Sequence, residues 1–76
     1  MDRNIVDVIE RIKAEIPESE TSLHSDLEHI KYSSLFTAPE VMVNLWHKLS
    51  ITLEYGIQDH ESDWAQKVAR IVRAEE

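Results

Sequence analysis

The stretch "VMVNLWHKLSITLEY", residues 41–55, decides the fold. It contains neither glycine nor proline, and it is long enough for four helical turns. Val41, Met42, Leu45, Trp46, Leu49 and Leu53 recur at three- and four-residue spacing and cover an arc of about 140° on a helix. Its last part, "SITLEY" (50–55), carries β-branched residues and some alternation, which is a strand signal. The residues on either side favour the helix. In "FTAPEV" (36–41), Thr37 reads as an N-cap and Glu40, three residues on, reads as its capping-box partner. Phe36 and Val41 are spaced for the hydrophobic staple, and Pro39 falls in the first turn, where its missing N–H does no harm. Gly56 is the only glycine in the chain and falls where a left-handed C-cap would stop the helix. The spacing predicts a helix over 38–55.

Three further helices are expected around it. In the first segment Ile5, Val8, Ile9, Ile12 and Ile16 cluster within about 100° of arc. Asp2 or Asn4 can cap its start, and Pro17 ends it by excluding helical geometry from the residue before. This helix is placed at 2–16. The polar, acidic stretch "PESETS" (17–22) reads as a solvated turn. A second helix at 22–33 has a narrow stripe of Leu23, Leu27 and Ile30, joined by Ser34 just beyond it. A segment this short is marginal alone and depends on its neighbours for order. A fourth is expected at 59–74. Asp59, Glu61 and Asp63 lie at its start and Lys67, Arg70 and Arg73 lie later, complementing the helix dipole at both ends. Trp64, Val68, Ile71 and Val72 form its stripe. The fold class is therefore all-α: one small domain over 1–76 with four helices, the second short.

The totals narrow the function. A 76-residue chain buries about 60% of its unfolded surface, so its core is small. No cysteine is present to staple it with a disulfide or a thiolate zinc site. The formal net charge is −7, and charging all four histidines would still leave −3. Residues 1–40 hold nine acids and four bases, whereas residues 41–76 hold six and four. Such a chain is repelled by phosphate backbones and anionic lipid, and it suits basic protein partners. Hydrophobic residues make up 42% of the sequence and include two tryptophans, which argues against disorder. No apolar run approaches the roughly 20 residues of a membrane span. "MDRNIVDVIER" lacks the pattern of a secretory signal, so the expectation is a cytoplasmic protein.

Site chemistry is thin. A single glycine is incompatible with phosphate-binding loops, dinucleotide folds and the nucleophile elbow. "DHESDW" (59–64) superficially resembles two metal motifs. A zinc-protease helix needs histidine where Trp64 stands, and a calcium loop needs glycine there and glutamate where Arg70 stands. Both fail, and an acidic first helical turn explains the stretch. His24 and His29 are five apart and share no helix face. A site that assembles them with His47 or His60 is less expected than four surface or half-buried histidines. No nucleophile is fixed beside a base, and so small a core leaves little room for a water-excluding pocket. The expectation is no enzymatic activity, no cofactor and no metal. As a DNA reader, the 38–55 helix offers only Asn44 and Lys48. Helix four offers a basic strip, Lys67, Arg70 and Arg73, which dipole complementation already explains.

One feature of 41–55 is left over. Val43, His47, Ile51 and Tyr55 lie on the far side of the helix, over another 120° or so. Either the helix is central and the other three cover both its faces, or a second molecule covers the far side. The simplest second molecule is another copy across a two-fold axis. Burying three such apolar side chains contributes roughly 1.5–3 kcal/mol each, which is large beside about 5 kcal/mol for a domain of this size. His47 in that seam would make association sensitive to pH. The sequence thus points to a non-enzymatic protein–protein interaction or regulatory module, a homodimer through Val43, His47, Ile51 and Tyr55, acting on another protein. One alternative is an acidic inhibitor that mimics nucleic acid, with Asp7, Glu10, Glu18, Glu20, Asp26 and Glu28 as candidate carboxylates. Another is a weak DNA-binding regulator using helix four.

Overall fold

In the computed structural model, which describes residues 4–74, Asn4 opens the first helix. Its backbone is extended and its Oδ1 accepts the Val6 N–H at 2.9 Å, satisfying one of the free donors of the first turn. Asp2, the other candidate cap, lies outside the described residues. Helix α1 spans Ile5–Glu15. Ile16 then turns extended, as a residue before proline must, and its N–H still bonds back to the carbonyls of Ile12 and Lys13. Helix α2 spans Thr21–Ser34, a little longer than expected. A single 3-10 turn at Pro39–Val41 leads into α3, Met42–Gly56, and α4 spans Asp63–Ala74. The described residues contain four α-helices and no strand, so the architecture is all-α.

Helices α1 and α2, not α3, form the middle of the bundle. Helix α1 packs on α2 and α4, and α2 packs on α1 and α3, so α3 and α4 lie on its flanks. Ile5, Val8, Ile9, Ile12 and Ile16 are all buried, and Ile9 and Ile12 have no exposed surface. They meet Leu23, Leu27 and Ile30 of α2, Leu45, Leu49 and Leu53 of α3, then Ile57, Ala65 and Val68, in one core cluster. Trp46, Trp64, Ile71 and Val72 close its edge, half-buried. No polar or charged side chain is buried among the described residues, so the core rests on apolar burial alone. Ion pairs clamp its outside. Glu10 pairs with Lys31 and Glu28 with Lys13, tying α1 to α2 at two levels, and Lys67 of α4 lies 3.9 Å from Glu15.

Several local expectations are corrected by this packing. The capping box does not form: the Thr37 hydroxyl turns back and donates to the Ser33 carbonyl at 2.7 Å, serving the end of α2. No side chain caps either the 3-10 turn or the start of α3. Phe36 and Val41 are exposed, so no staple seals the entry. Gly56 is not left-handed, since no described residue has a positive φ. It is the last residue of α3, and the helix stops because Ile57 turns extended. A Cβ at this position would come within 2.7 Å of Cδ1 of buried Leu23, so a larger residue here would require the end of the Leu23 side chain to shift. Helix α4 starts four residues later than expected. Asp59 Oδ1 accepts the Glu61 N–H, and the Ser62 hydroxyl donates to the Asp59 carbonyl while accepting the Ala65 N–H. Asp59 and Glu61 thus build an Asx turn and Ser62 caps the helix, leaving Asp63 as the acid of its first turn.

Candidate interaction surface

Leu45, Leu49 and Leu53 hold α3 against the core, with Met42 and Trp46 beside them. This contact fixes which side of α3 faces out. Val43 is 69% exposed, Ile51 40% and Tyr55 81%, and His47 is exposed between the first two. The bundle therefore does not cover the far side, and the reading of α3 as a central helix covered on both faces is overturned. The physical reason is that α3 packs on α2 at the flank of the bundle, so its outer side faces away from the other helices. The four residues are spaced by four, so they form one continuous ridge inclined along the helix. Its charged or polar neighbours are Asn44, Lys48, Ser50 and Glu54, all exposed.

A second apolar region had no signal in the sequence. Tyr32, Leu35 and Phe36, at the end of α2 and just beyond it, are 65%, 68% and 76% exposed. The Tyr32 and Phe36 rings touch, tilted, with centroids 5.3 Å apart. Val41 and Val43, 44% and 69% exposed, follow after the short connection 37–40. In the sequence these residues resemble core residues; only the packing shows that the chain turns before they reach the core. Residues 32–47 carry one formal charge, Glu40, in a chain of which 30% is charged.

The other candidate groups are occupied or dispersed. His24 Nε2 donates to the carbonyls of Ile16 (3.1 Å) and Pro17 (3.2 Å), and His60 Nε2 donates to that of Glu54 (2.9 Å). Because each partner is a carbonyl, Nε2 must carry the proton. These two histidines serve helix ends, where free carbonyls and the dipole both favour a donor. His29 and His47 are exposed. Among the described residues, no three or more His, Cys, Asp or Glu side chains converge to hold a metal ion. A groove of about 210 Å³ runs between α3 and α4, floored by Leu53, Ile57, Ala65 and Val68, with Glu54 and Arg73 on its rim.

Of the six candidate carboxylates for nucleic-acid mimicry, Glu10 and Glu28 are neutralised by Lys31 and Lys13. The Lys31 ammonium, which bonds Glu10 directly, holds that carboxyl below its ordinary value of 4.5. Of the basic strip on α4, Lys67 is drawn toward Glu15. No helix among the described residues is long and apolar enough to cross a membrane. Comparison with protein-family models, with curated proteins and with solved structures finds no match for this chain.

Proposed function

We propose that the chain is a non-catalytic protein–protein interaction module of a regulatory kind, which pairs with a second copy of itself and acts on another protein. The observation that carries this reading is the uncovered ridge Val43, His47, Ile51 and Tyr55 on a helix whose opposite side is already packed. Small soluble domains that expose a contiguous apolar patch tend to bind there. The acidic remainder of the surface sets partner choice and encounter rate more than affinity.

Sedimentation of the wild type against Ile51→Glu tests it. The wild type sediments as a concentration-dependent dimer. The variant places two buried carboxylates in the seam and stays monomeric at the same concentrations, with its helical circular dichroism unchanged. Monomers in both samples would overturn the reading. The two alternatives have less support, because lysines neutralise part of the carboxylate set and a carboxylate draws off one of the three basic residues on α4. A mobility-shift assay at low salt separates the DNA-binding alternative, the only one of the three expected to shift DNA.

A further inference from the structure

The ridge on α3 is too small to hold two copies together by itself. One aromatic side chain supplies about 150–250 Å². Two aliphatic ones supply roughly 60–120 Å² each, if full burial of each stabilises by 1.5–3 kcal/mol at 25 cal/mol per Å². The total is well below the roughly 800 Å² per partner of a specific interface. Tyr32, Leu35, Phe36 and Val41 at the α2–α3 corner are exposed in the same chain, and they bring the apolar area to about that size.

Charge selects the occupant. Two copies that each carry −7 repel wherever their carboxylates face one another. Residues 32–55, which span the whole surface in question, hold only Glu40, Lys48 and Glu54 as formal charges, a net of −1, so two acidic copies meet here with little repulsion. A basic partner, by contrast, would gain most elsewhere, on the acid-rich faces.

Size selects the orientation. In a parallel pair, Tyr55 would meet Tyr55 and Val43 would meet Val43, leaving one end crowded and the other open. An antiparallel pair sets the large residue against the small one along the whole ridge, as close packing requires. It also opposes the two helix dipoles.

We infer that two copies pair antiparallel through α3, the Val43 end of each ridge against the Tyr55 end of the other, with the aromatic corner of Tyr32, Leu35 and Phe36 seated over the partner's Tyr55 and completing the interface. Ridges spaced by four on both helices interdigitate at a crossing angle near −50°. This inference rests on the self-association proposed above and adds its direction and its missing area.

The chain has no cysteine, so an introduced thiol reports its own surroundings. Val43→Cys and Glu54→Cys place one thiol near each end of the ridge and leave Ile51 and Tyr55 in place. Each variant alone, and an equimolar mixture of the two, are treated with a short bismaleimide at a concentration where sedimentation shows dimer. The antiparallel pair gives cross-linked dimer in the mixture and little in either single variant, since the two ends lie about 16 Å apart along the helix at 1.5 Å per residue. Phe36→Asp then weakens the wild-type dimer at least tenfold without changing its helix content. Cross-linking in each single variant, with no gain in the mixture, would overturn the antiparallel arrangement while self-association stands. A Phe36→Asp dimer as tight as wild type would remove the corner from the interface. Monomers throughout would defeat both the inference and the reading beneath it.

Discussion

Helices α1 and α3 are both amphipathic, yet they use their apolar residues differently. Every large apolar residue in α1 except Val6 is buried on one face, and the opposite face carries Asp7, Glu10 and Arg11. Helix α3 buries Leu45, Leu49 and Leu53 on one face and presents Val43, Ile51 and Tyr55 on the other. A helix that only needed to hold this bundle together would look like α1. The excess on α3 lies outside the core cluster of the single chain, which is why we propose a second molecule there.

The sharpest way to break the comparison is to truncate one residue from each helix. Ile9→Ala at the centre of α1 is expected to cost 2–5 kcal/mol of unfolding free energy in urea, enough to unfold a domain this small. The milder Ile9→Val is expected to cost 0.5–1.5 kcal/mol and keeps the comparison measurable. Ile51→Ala in α3, measured at concentrations low enough to keep the chain monomeric, is expected to cost about 1 kcal/mol or less, since the side chain is 40% exposed and lies outside the buried core. Equal losses at the two positions would mean that Ile51 supports the monomer and that the contrast is wrong.

Tyr55→Ala sharpens it from the other side. It removes an exposed aromatic anchor, and the dimer is expected to loosen by roughly 2 kcal/mol, about thirtyfold in the dissociation constant. The unfolding midpoint of the monomer should not move.

Next in size is His24→Ala. Its ring donates to two carbonyls where α1 ends, so the loss is expected to be about 0.5–1.5 kcal/mol and independent of protein concentration. Gly56→Ala gains about 1 kcal/mol of helix propensity and gives most of it back by displacing buried Leu23. Thermal melts should therefore place it within about 1 kcal/mol of wild type. A clear gain in stability would mean that α3 does not approach α2 as closely as described.

The smallest effect is the pH response of the clamp on α1. The Lys31 ammonium depresses the Glu10 pKa in the folded chain, so the pair's stabilisation is fully present above the ordinary 4.5. It is lost as pH falls below 4.5 through the lowered folded value. Both groups reach solvent, so salt screens them. In acid titrations of stability, Glu10→Gln is expected to flatten this limb slightly, and wild type in high salt should come to resemble it.

What could be read in advance follows from the range of the forces involved. The isoleucine face of α1, the stop at Pro17 and the leucine stripe of α3 are set by local periodicity and backbone sterics, which one sequence displays directly. That Val43, Ile51 and Tyr55 fall outside the main apolar arc was visible too; that the bundle leaves them uncovered was not. Three features were hidden because they depend on neighbours distant in sequence. Gly56 does end α3, but without the left-handed turn expected of it, and its contact with Leu23 of α2 had no local signal. Ala65 is buried but too small to register as a core residue. Leu35 and Phe36 carry the composition of a core, and only the turn after α2 leaves them outside. The Thr37 hydroxyl had two equally local acceptors, ahead and behind, and the short connection chose the one behind.

Small-angle X-ray scattering across a concentration series tests the central claim most directly. A lone chain has a mass of 8.9 kDa and a Cα radius of gyration of 11.8 Å. The wild type should rise toward twice that mass with an increased radius, while Ile51→Glu stays near the monomer values at every concentration. A wild-type mass that remains at one chain up to millimolar concentration would contradict it.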